Sequence, residues 1–85
     1  MREFQIIIQD ALGIHARPAG ELSAMAKQFT SDILLRKADQ EADLKNPLAL
    51  MRLAVKQGEC VTILADGADE EEALERLKAF FENIM

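Results

Sequence analysis

The sequence predicts an α+β fold in which helices pack on one side of an antiparallel sheet. Short β-branched segments alternate with amphipathic segments of helical spacing in the order βαββαβα. Strands that need only one covered face, combined with amphipathic helices, favour two layers of this kind. The 85 residues are enough for one domain, residues 1–85, with a single modest hydrophobic core.

The N-terminal segment predicts one strand followed by one helix. Residues 2–8 are short, apolar and rich in isoleucine, which is typical of a strand. From Ala16 to Phe29, apolar residues follow helical spacing. Pro18 fits only the first turn of that helix, because a proline there loses no hydrogen bond. We therefore expect the helix to begin just after His15.

The middle of the chain predicts a hairpin. Residues 32–37 and 40–44 are two strand-like segments separated by Ala38 and Asp39. Neither residue is favoured in the tight two-residue turns that usually close hairpins, where asparagine and glycine are common. We therefore expect a looser or differently formed turn.

A short helix and a fourth strand follow the hairpin. Asn46 and Pro47 form a helix start signal, with the asparagine as cap and the proline in the first helical position. Gly58 is expected to end this helix. Residues 60–65 are rich in β-branched side chains and predict a strand.

The last element is predicted as an amphipathic helix. Asp69 is placed to cap it, and the acidic residues 70–72 lie where they favour the positive end of the helix dipole. Glu72 is placed as in a capping box. One apolar face is expected to pack on the sheet. This face consists of Leu74, Leu77, Phe80, Phe81 and Ile84.

Composition and charge exclude several classes of function. The net charge of −5 argues against a general nucleic-acid or anionic-membrane binder, since both partners require a basic surface. No stretch approaches the roughly 20 apolar residues of a membrane span, and the N-terminus does not resemble a signal peptide. Cys60 is the only cysteine, so no intrachain disulfide is possible. We expect a soluble cytoplasmic protein.

The chain has one histidine, His15, in the segment GIHARPAG. Zinc needs three or four ligands, and with one histidine and one cysteine only a carboxylate-rich cluster could supply them, so we expect no metal and no cofactor. No GxxxxGK[ST] or GxGxxG segment suggests a nucleotide site. A serine, histidine and aspartate relay is harder to exclude because Asp10 and two serines are present. Neither serine, however, lies in a motif that would present it as a nucleophile.

The position of His15 favours chemistry with anions. It precedes the first turn of a predicted helix, where unpaired N–H groups and the helix dipole stabilise an anion. Arg17 adds donors suited to phosphate oxygens, and a charged hydrogen bond of this kind contributes about 1.5–3 kcal/mol. A nucleophilic imidazole at such a site can carry a phosphoryl group whose charge is compensated there.

The segment GIHARPAG resembles the active-site signature of HPr, the histidine-containing phosphocarrier family of the bacterial phosphoenolpyruvate-dependent sugar phosphotransferase system. The resemblance extends over essentially all 85 residues and includes FTSDILL, DLKN and LMRLAVKQGECVTILADGADEEEALERL. It implies an open-faced β-sandwich, in which a four-stranded antiparallel sheet is covered on one side by three helices.

The resemblance also implies a role for each residue of the motif. His15 would accept a phosphoryl group from phosphorylated enzyme I and pass it to enzyme IIA domains, as a carrier and not as an enzyme. Arg17 and the first amides of the helix, beginning at Ala16, would hold the phosphate, and Pro18 would start the helix. Family members use the Nδ1 nitrogen of the ring, which the sequence itself does not show.

A surface for partner proteins is expected on the short helix that Pro47 opens. Leu48 and Met51 are three residues apart and could form an apolar patch, although packing of both on the sheet is the alternative. Lys45 and Arg52 would border that patch. In the family this helix lies beside the histidine loop and helps to dock enzyme I and the IIA domains. Basic residues there would meet acidic partner surfaces in fast, weak encounters.

The sequence departs from the family pattern at several positions. Leu12 stands where many members have a polar residue. Gly20 replaces a usual alanine, which costs helix stability but flattens the partner-binding surface beside His15. Asn46, followed by Pro47, occupies the position of the regulatory serine of Gram-positive members and has no hydroxyl to phosphorylate.

Two other functions are compatible with the sequence. A small hydrolase of acyl phosphates could use an arginine at an anion-binding loop, and a regulatory binding module could keep the fold with little use of His15. The intact pair of His15 and Arg17 favours the carrier, which we expect to be a monomer. Neither the sugar permeases served nor any regulatory partner follows from the sequence.

Overall fold

The structure, a computed structural model, describes residues 1–84, and of Ile84 it describes the backbone alone. Seven elements follow one another in the predicted order, and each begins at or next to its predicted residue. They are β1 (Arg2–Ile7), α1 (Ala16–Ala26), β2 (Asp32–Lys37), β3 (Gln40–Asp43), α2 (Pro47–Arg52), β4 (Cys60–Asp66) and α3 (Glu70–Ile84).

The four strands form one antiparallel sheet in the order β1-β4-β2-β3. β4 pairs with β1 on one side, where Val61 lies opposite Ile6, and with β2 on the other, where Ile63 lies opposite Leu35. β3 is the outer strand of the β2–β3 hairpin. The predicted α+β class, with one open antiparallel sheet and three helices, is confirmed.

The hydrophobic core lies between the sheet and the helices. On β4 the buried residues Val61, Ile63 and Ala65 are spaced two apart, as one covered face of a strand requires. From α1 and α3, Leu22 and Phe81 are buried in the same cluster. One hydrophobic core therefore joins the sheet to the helices that cover it.

The apolar face predicted for α3 packs as expected. Leu74, Leu77 and Phe81 are buried, and Phe80 is partly buried against the core. Ile84, the fifth predicted member, lies outside the residues whose side chains are described. α3 contacts β1 and β4.

Asp69 takes the predicted position directly before α3, and its carbonyl oxygen accepts the N–H of Ala73 at 2.9 Å, but its side chain bonds elsewhere instead of capping the helix. The carboxylate of Asp69 accepts hydrogen bonds from the hydroxyl of Ser31, from the N–H of Ser31 at 2.9 Å and from the N–H of Thr30 at 2.8 Å. These bonds, with the Ser31 hydroxyl as the largest cause and the Thr30 N–H as the next, lower the pKa of Asp69 from 3.8 to about 2. Asp69 therefore ties the start of α3 to the loop before β2.

The capping box predicted through Glu72 is not formed among the described residues, and a different glutamate binds the backbone before α3. Glu70 Oε1 accepts the backbone N–H of Gly67 at 3.1 Å. This pair has the spacing of a capping box. Gly67 has no side chain to return a bond, so only one of the two bonds of a capping box forms here.

The end of α2 also differs from the prediction. The helix ends at Arg52, and the left-handed residue after its cap is Ala54, with a φ of 52°. The ammonium group of Lys37 donates to the carbonyl oxygens of Leu53 at 3.1 Å and Ala54 at 3.2 Å, which satisfies groups left free at the helix end. The prediction that Gly58 ends this helix is wrong, because an alanine takes the conformation expected of a glycine.

α1 ends earlier than its apolar spacing predicts. The helix ends at Ala26, before the predicted Phe29. The N–H of Phe29 still bonds to the Ala26 carbonyl at 3.2 Å, and the Phe29 ring is buried. Apolar spacing therefore identifies the core residues here but not the helix boundary.

The β2–β3 hairpin is confirmed, and its turn is tight. Lys37 pairs with Gln40, so that only Ala38 and Asp39 form the turn. Ala38 has a φ of 55°, a left-handed conformation that costs a residue other than glycine about 1–2 kcal/mol. The expectation of a looser turn is therefore wrong. The turn has only two residues, and Ala38 adopts a strained backbone conformation to close it.

Candidate phosphoryl-carrying site

The loop between β1 and α1 is shaped by Asp10. Its Oδ1 atom accepts the backbone N–H of Leu12 at 2.8 Å, and its carbonyl oxygen accepts the N–H of Gly13 at 2.9 Å. These local bonds form the kind of side-chain turn that aspartate favours. The turn leaves the Leu12 side chain 72% exposed.

Gly13 fits tightly against the segment that follows α2. Its φ of 68° is left-handed, and an added Cβ would overlap the carbonyl oxygen of Val55 and lie 2.8 Å from Cα of Lys56. The next residue, Ile14, is buried and donates its N–H to the same Val55 oxygen at 3.0 Å. A glycine is therefore required, and the chain leading into His15 is fixed to the body of the protein.

His15 immediately precedes α1, with an extended backbone and no capping hydrogen bond from its side chain. Its carbonyl oxygen accepts the N–H of Ala19 at 3.0 Å, the first bond of the helix. In the part of the chain that the structure describes, the N–H groups of Ala16 and Arg17 have no partner, and Pro18 has no N–H. The imidazole therefore lies beside two free backbone donors at the positive end of α1.

An open depression of about 360 Å³ surrounds the histidine. His15 is 36% exposed, and its Nε2 atom lies 4.0 Å from Oδ1 of Asp10. The side chain of Arg17 is 85% exposed, with Nε 3.3 Å from Oε1 of Glu21. An anion that enters the depression can therefore reach both the ring and the guanidinium. The lining residues are Asp10, Leu12, His15, Arg17, Pro18 and Glu21.

The structure places the predicted motif residues together and adds one more. His15, Arg17 and Pro18 line the depression, and Ala16 contributes a backbone donor. Glu21 is a lining residue that the motif does not reveal. The sequence contains a signal for it, because a glutamate four residues after an arginine on a helix lies within reach of that arginine.

A serine, histidine and aspartate relay is not formed at this site. Asp10 lies near His15, but both serines are buried elsewhere. The hydroxyl of Ser23 donates to the Lys45 carbonyl at 2.6 Å, and that of Ser31 donates to the carboxylate of Asp69. No serine hydroxyl lines the depression.

The predicted cap of α2 is confirmed. Oδ1 of Asn46 accepts the N–H of Leu48 at 3.1 Å and of Ala49 at 3.2 Å, and Pro47 holds the first turn. Caps of this kind contribute about 1 kcal/mol. The asparagine therefore caps the helix without supplying a hydroxyl.

The surface predicted on α2 is only partly exposed. Leu48 is 60% exposed and Arg52 is exposed, whereas Met51 is partly buried against the core. The ammonium group of Lys45 donates to the carbonyl oxygen of Phe29 at 3.0 Å. Lys45 is therefore held against a backbone carbonyl but has no ion-pair partner among the described residues, so it keeps its positive charge beside α2.

Gly20 lies on the exposed side of α1. No atom lies within 4 Å of the position that a Cβ would occupy there. On the buried side, the bond from Ser23 to Lys45 links α1 to the segment before α2. Neither Gly20 nor any residue of α2 lines the depression of His15, so these residues adjoin the site without forming it.

Neither a membrane-spanning helix nor a metal-binding cluster occurs among the described residues. Among residues 1–84, no helix combines the length and apolar character needed to cross a bilayer. Within the same residues, no group of three or more histidine, cysteine, aspartate or glutamate side chains is arranged to hold a metal ion.

Comparisons with known proteins agree over nearly the whole chain. The family model described as the PTS HPr component phosphorylation site matches residues 2–83. The phosphocarrier protein HPr of Mycoplasma genitalium is 45% identical over 83 residues, which cover 96% of this chain and 94% of that protein. The crystal structure of HPr-C-His from Thermoanaerobacter tengcongensis matches with a TM-score of 0.92 at 38% identity, covering 96% and 92% of the two chains.

A third relative differs in assembly. The crystal structure of Crh, the Bacillus subtilis catabolite repression containing protein, is described as an intertwined dimer with a swapping domain. It matches with a TM-score of 0.77 at 39% identity and covers 96% of this chain and 94% of its own. The fold is therefore shared by relatives that differ in how their chains associate.

The matched residues include the whole site. The segment 2–83 contains the GIHARPAG motif, whose histidine lies at the start of α1. The family model concerns the phosphorylation site of a phosphotransferase-system component, and the relatives it accompanies are named phosphocarrier proteins, not enzymes. The chain belongs to the HPr family of phosphocarrier proteins.

Proposed function

We propose that this chain takes a phosphoryl group from phosphorylated enzyme I onto His15 and passes it to enzyme IIA domains in the cytoplasm. The observation that carries the proposal is the imidazole of His15, which is partly exposed, makes no capping bond and adjoins the unpaired N–H groups of Ala16 and Arg17. A carrier must release each partner after transfer, so no stable complex is required.

The donors around His15 match the charge of the group to be carried. A phosphoryl group brings about −1.5 to −2 charges and three acceptor oxygens. The N–H groups of Ala16 and Arg17 point out of the positive end of α1, and the guanidinium of Arg17 adds a fork of donors. Each charged hydrogen bond of this kind contributes about 1.5–3 kcal/mol. The same donors stabilise the charge that develops during transfer.

Nδ1 is the ring nitrogen that we assign as the phosphoryl acceptor. The resemblance to the HPr family implies this nitrogen, and a neutral ring that attacks through Nδ1 carries its proton on Nε2, the atom that lies 4.0 Å from the carboxylate of Asp10. The Nδ1–phosphorus bond forms as the bond between phosphorus and the donor breaks. The proton on Nε2 passes through water to the leaving group of the donor.

Exposed residues near the site support a docking surface for both partners. Leu12 and Leu48 are large apolar side chains that stay 72% and 60% exposed, and Arg52 adds an exposed positive charge. Gly20 presents bare backbone, and Pro47 fixes the start of α2. A small surface that combines apolar side chains with a positive charge suits fast and weak encounters with partner proteins.

We propose that the carrier acts as a monomer. The swapped dimer described for Crh makes this a point to measure. Sedimentation equilibrium of the chain alone should give the mass of one chain across a wide concentration range. A dimer mass at every concentration would contradict the proposal.

Labelling with enzyme I tests the carrier function directly. The chain is incubated with enzyme I and phosphoenolpyruvate, and mass spectrometry then locates an acid-labile phosphate, which we expect on His15. His15→Ala should lose the label and keep the fold, because the side chain lies at the surface of a loop. Labelling of His15→Ala at the wild-type rate would place the site elsewhere. Absence of label on the wild type would favour a binding module, and turnover of free acyl phosphate would favour a hydrolase.

Arg17→Ala tests the electrostatic part of the proposal. Transfer should slow in at least one direction by more than stability changes, because Arg17 is exposed and its one ion pair contributes little to folding. The matched control is Arg36→Ala, which removes another arginine paired with a glutamate, Glu41. Low salt maximises the expected difference. An unchanged transfer rate at low salt would contradict the role of Arg17.

A further inference from the structure

On the basis of the proposed carrier function, we propose that Glu21 is a positioning residue of the site. Its carboxylate holds the guanidinium of Arg17 in the unphosphorylated state and competes with the phosphoryl group for it. Glu21 thereby weakens the retention of the phosphoryl group on His15 and favours its transfer onward.

The geometry of α1 brings Glu21 into the depression. Glu21 follows Arg17 by four residues, so both side chains lie on one side of the helix. Oε1 of Glu21 lies 3.3 Å from Nε of Arg17 and accepts a hydrogen bond from it. Among the described residues, Glu21 is the only side chain with which Arg17 makes a hydrogen bond or ion pair. An anion that seeks the guanidinium therefore meets a carboxylate already bound to it.

The charges that line the depression favour release over tight retention. Asp10 and Glu21 contribute two carboxylates, and Arg17 contributes one guanidinium. The carboxylate of Asp10 is also bound to the N–H of Leu12, whereas that of Glu21 has Arg17 as its one partner in the described chain. A carboxylate repels a bound anion, so a carboxylate that has no other partner weakens the retention of an anion at this site. Glu21 is therefore the group whose charge acts on the phosphoryl state.

The competition has two consequences for transfer. When the phosphoryl group arrives, Arg17 is shared with or taken from Glu21, and the uncompensated carboxylate then repels the new charge. When the group leaves, the ion pair between Arg17 and Glu21 forms again. Exposed ion pairs of this kind change an equilibrium by about 1.5- to 5-fold. We expect Glu21 to weaken anion retention by about threefold, with the effect disappearing at high salt.

The test compares Glu21→Gln with Glu41→Gln. Glu41 also pairs with an arginine, Arg36, but lies on β3 and does not line the depression. Inorganic phosphate is titrated into each protein at low and high salt, and the amide resonances of Ala16 and Arg17 report binding. The phosphorylation equilibrium with enzyme I is measured in parallel.

Glu21→Gln should bind inorganic phosphate about threefold more tightly at low salt and shift the equilibrium with enzyme I toward the phosphorylated chain by a similar factor. Glu41→Gln should change neither quantity. In an Arg17→Ala background, the effect of Glu21→Gln on phosphate affinity should shrink, because Glu21 acts through the arginine. A purely structural role would change thermal stability without this dependence on salt and on Arg17.

Several results would overturn the role of Glu21. The first is a phosphate affinity of Glu21→Gln that is equal to or weaker than that of the wild type. The second is a change in phosphate affinity in Glu41→Gln as large as that in Glu21→Gln. The third is an effect of Glu21→Gln on phosphate affinity that does not shrink in the Arg17→Ala background. Failure of the carrier function has a different signature. In that case enzyme I leaves wild-type His15 unlabelled, while the phosphate titration still decides whether Glu21 competes for Arg17.

Discussion

Gly20→Ala should stabilise the protein, and the structure allows the magnitude to be worked out. Gly20 lies inside α1, in the helical region of the backbone, and is exposed. A Cβ added there meets no atom within 4 Å, so the substitution introduces no overlap. What remains is the difference in helix propensity, which favours alanine by about 0.5–1 kcal/mol. For a domain of this size, that corresponds to a rise in Tm of roughly 2–8 °C.

Urea denaturation is the assay, because it separates a change in stability from a change in the compactness of the denatured state. The midpoint should rise while the dependence of the unfolding free energy on urea stays constant. Ala24→Gly is the matched control: Ala24 is exposed on α1, four residues further on, and its replacement should destabilise by a similar or somewhat smaller amount. If Ala24→Gly loses the expected stability and Gly20→Ala gains none, the reasoning is refuted.

The same variant examines the docking surface. If bare backbone at Gly20 is part of that surface, the added methyl group should raise the KM for transfer from enzyme I. The affinity for inorganic phosphate should stay constant, because Gly20 does not line the depression. A change in phosphate affinity with an unchanged KM would place Gly20 at the anion site instead.

Three further changes test the fold and the missing hydroxyl. Gly13→Ala should cost about 2–5 kcal/mol in urea denaturation, since it adds left-handed strain to an overlap with Val55; a loss below 1 kcal/mol would contradict the close approach. The folded pKa of Asp69 is lowered from 3.8 to about 2, so its carboxylate stabilises the fold above pH 3.8 and this contribution is lost as the pH falls through 2. Asp69→Asn should therefore lower the urea midpoint at neutral pH, and the difference from the wild type should shrink between about pH 4 and pH 2 and vanish below about pH 2; a constant difference at all pH values would exclude this linkage. Incubation with ATP and the kinase that modifies the regulatory serine of Gram-positive members should leave no acid-stable phosphate, because Asn46 has no hydroxyl and Ser23 is buried; a mapped phosphate that blocks transfer would refute this.

Local signals predicted those features whose causes lie within a few residues. Asn46 caps α2 through the N–H groups two and three residues later, so the pattern of cap and proline contains the whole interaction. Pro18 likewise restricts where α1 begins. The order of strands and helices was predictable for the same reason, because each element has its own periodicity.

Features that depend on distant residues were not predictable. The carboxylate of Asp69 binds Ser31, 38 residues away in the chain, instead of the first N–H groups of its own helix. Ala54 ends α2 in a conformation that suits glycine, with its carbonyl held by Lys37, 17 residues earlier. Neither partner can be identified from local sequence, since the fold alone brings them together.

The site was predictable where the motif supplies the chemistry. His15 and Arg17 follow from the donors at a helix start, and the structure brings them to one depression. Glu21 lies outside the motif and belongs to the site because α1 continues for four more residues with regular geometry. Met51 shows the opposite case, since its spacing fits a surface patch but its side chain packs inward.

The position of β4 has a consequence for synthesis on the ribosome. β4 lies between β1 and β2 in the sheet, yet it follows both in the chain. Until residues 60–66 are available, β1 has no strand to pair with, and the β2–β3 hairpin is the only part of the sheet that can form. The nascent chain therefore holds a histidine loop whose preceding strand is unanchored. We therefore expect the complete sheet, and with it a fully anchored His15 loop, to form only after residues 60–66 have left the exit tunnel.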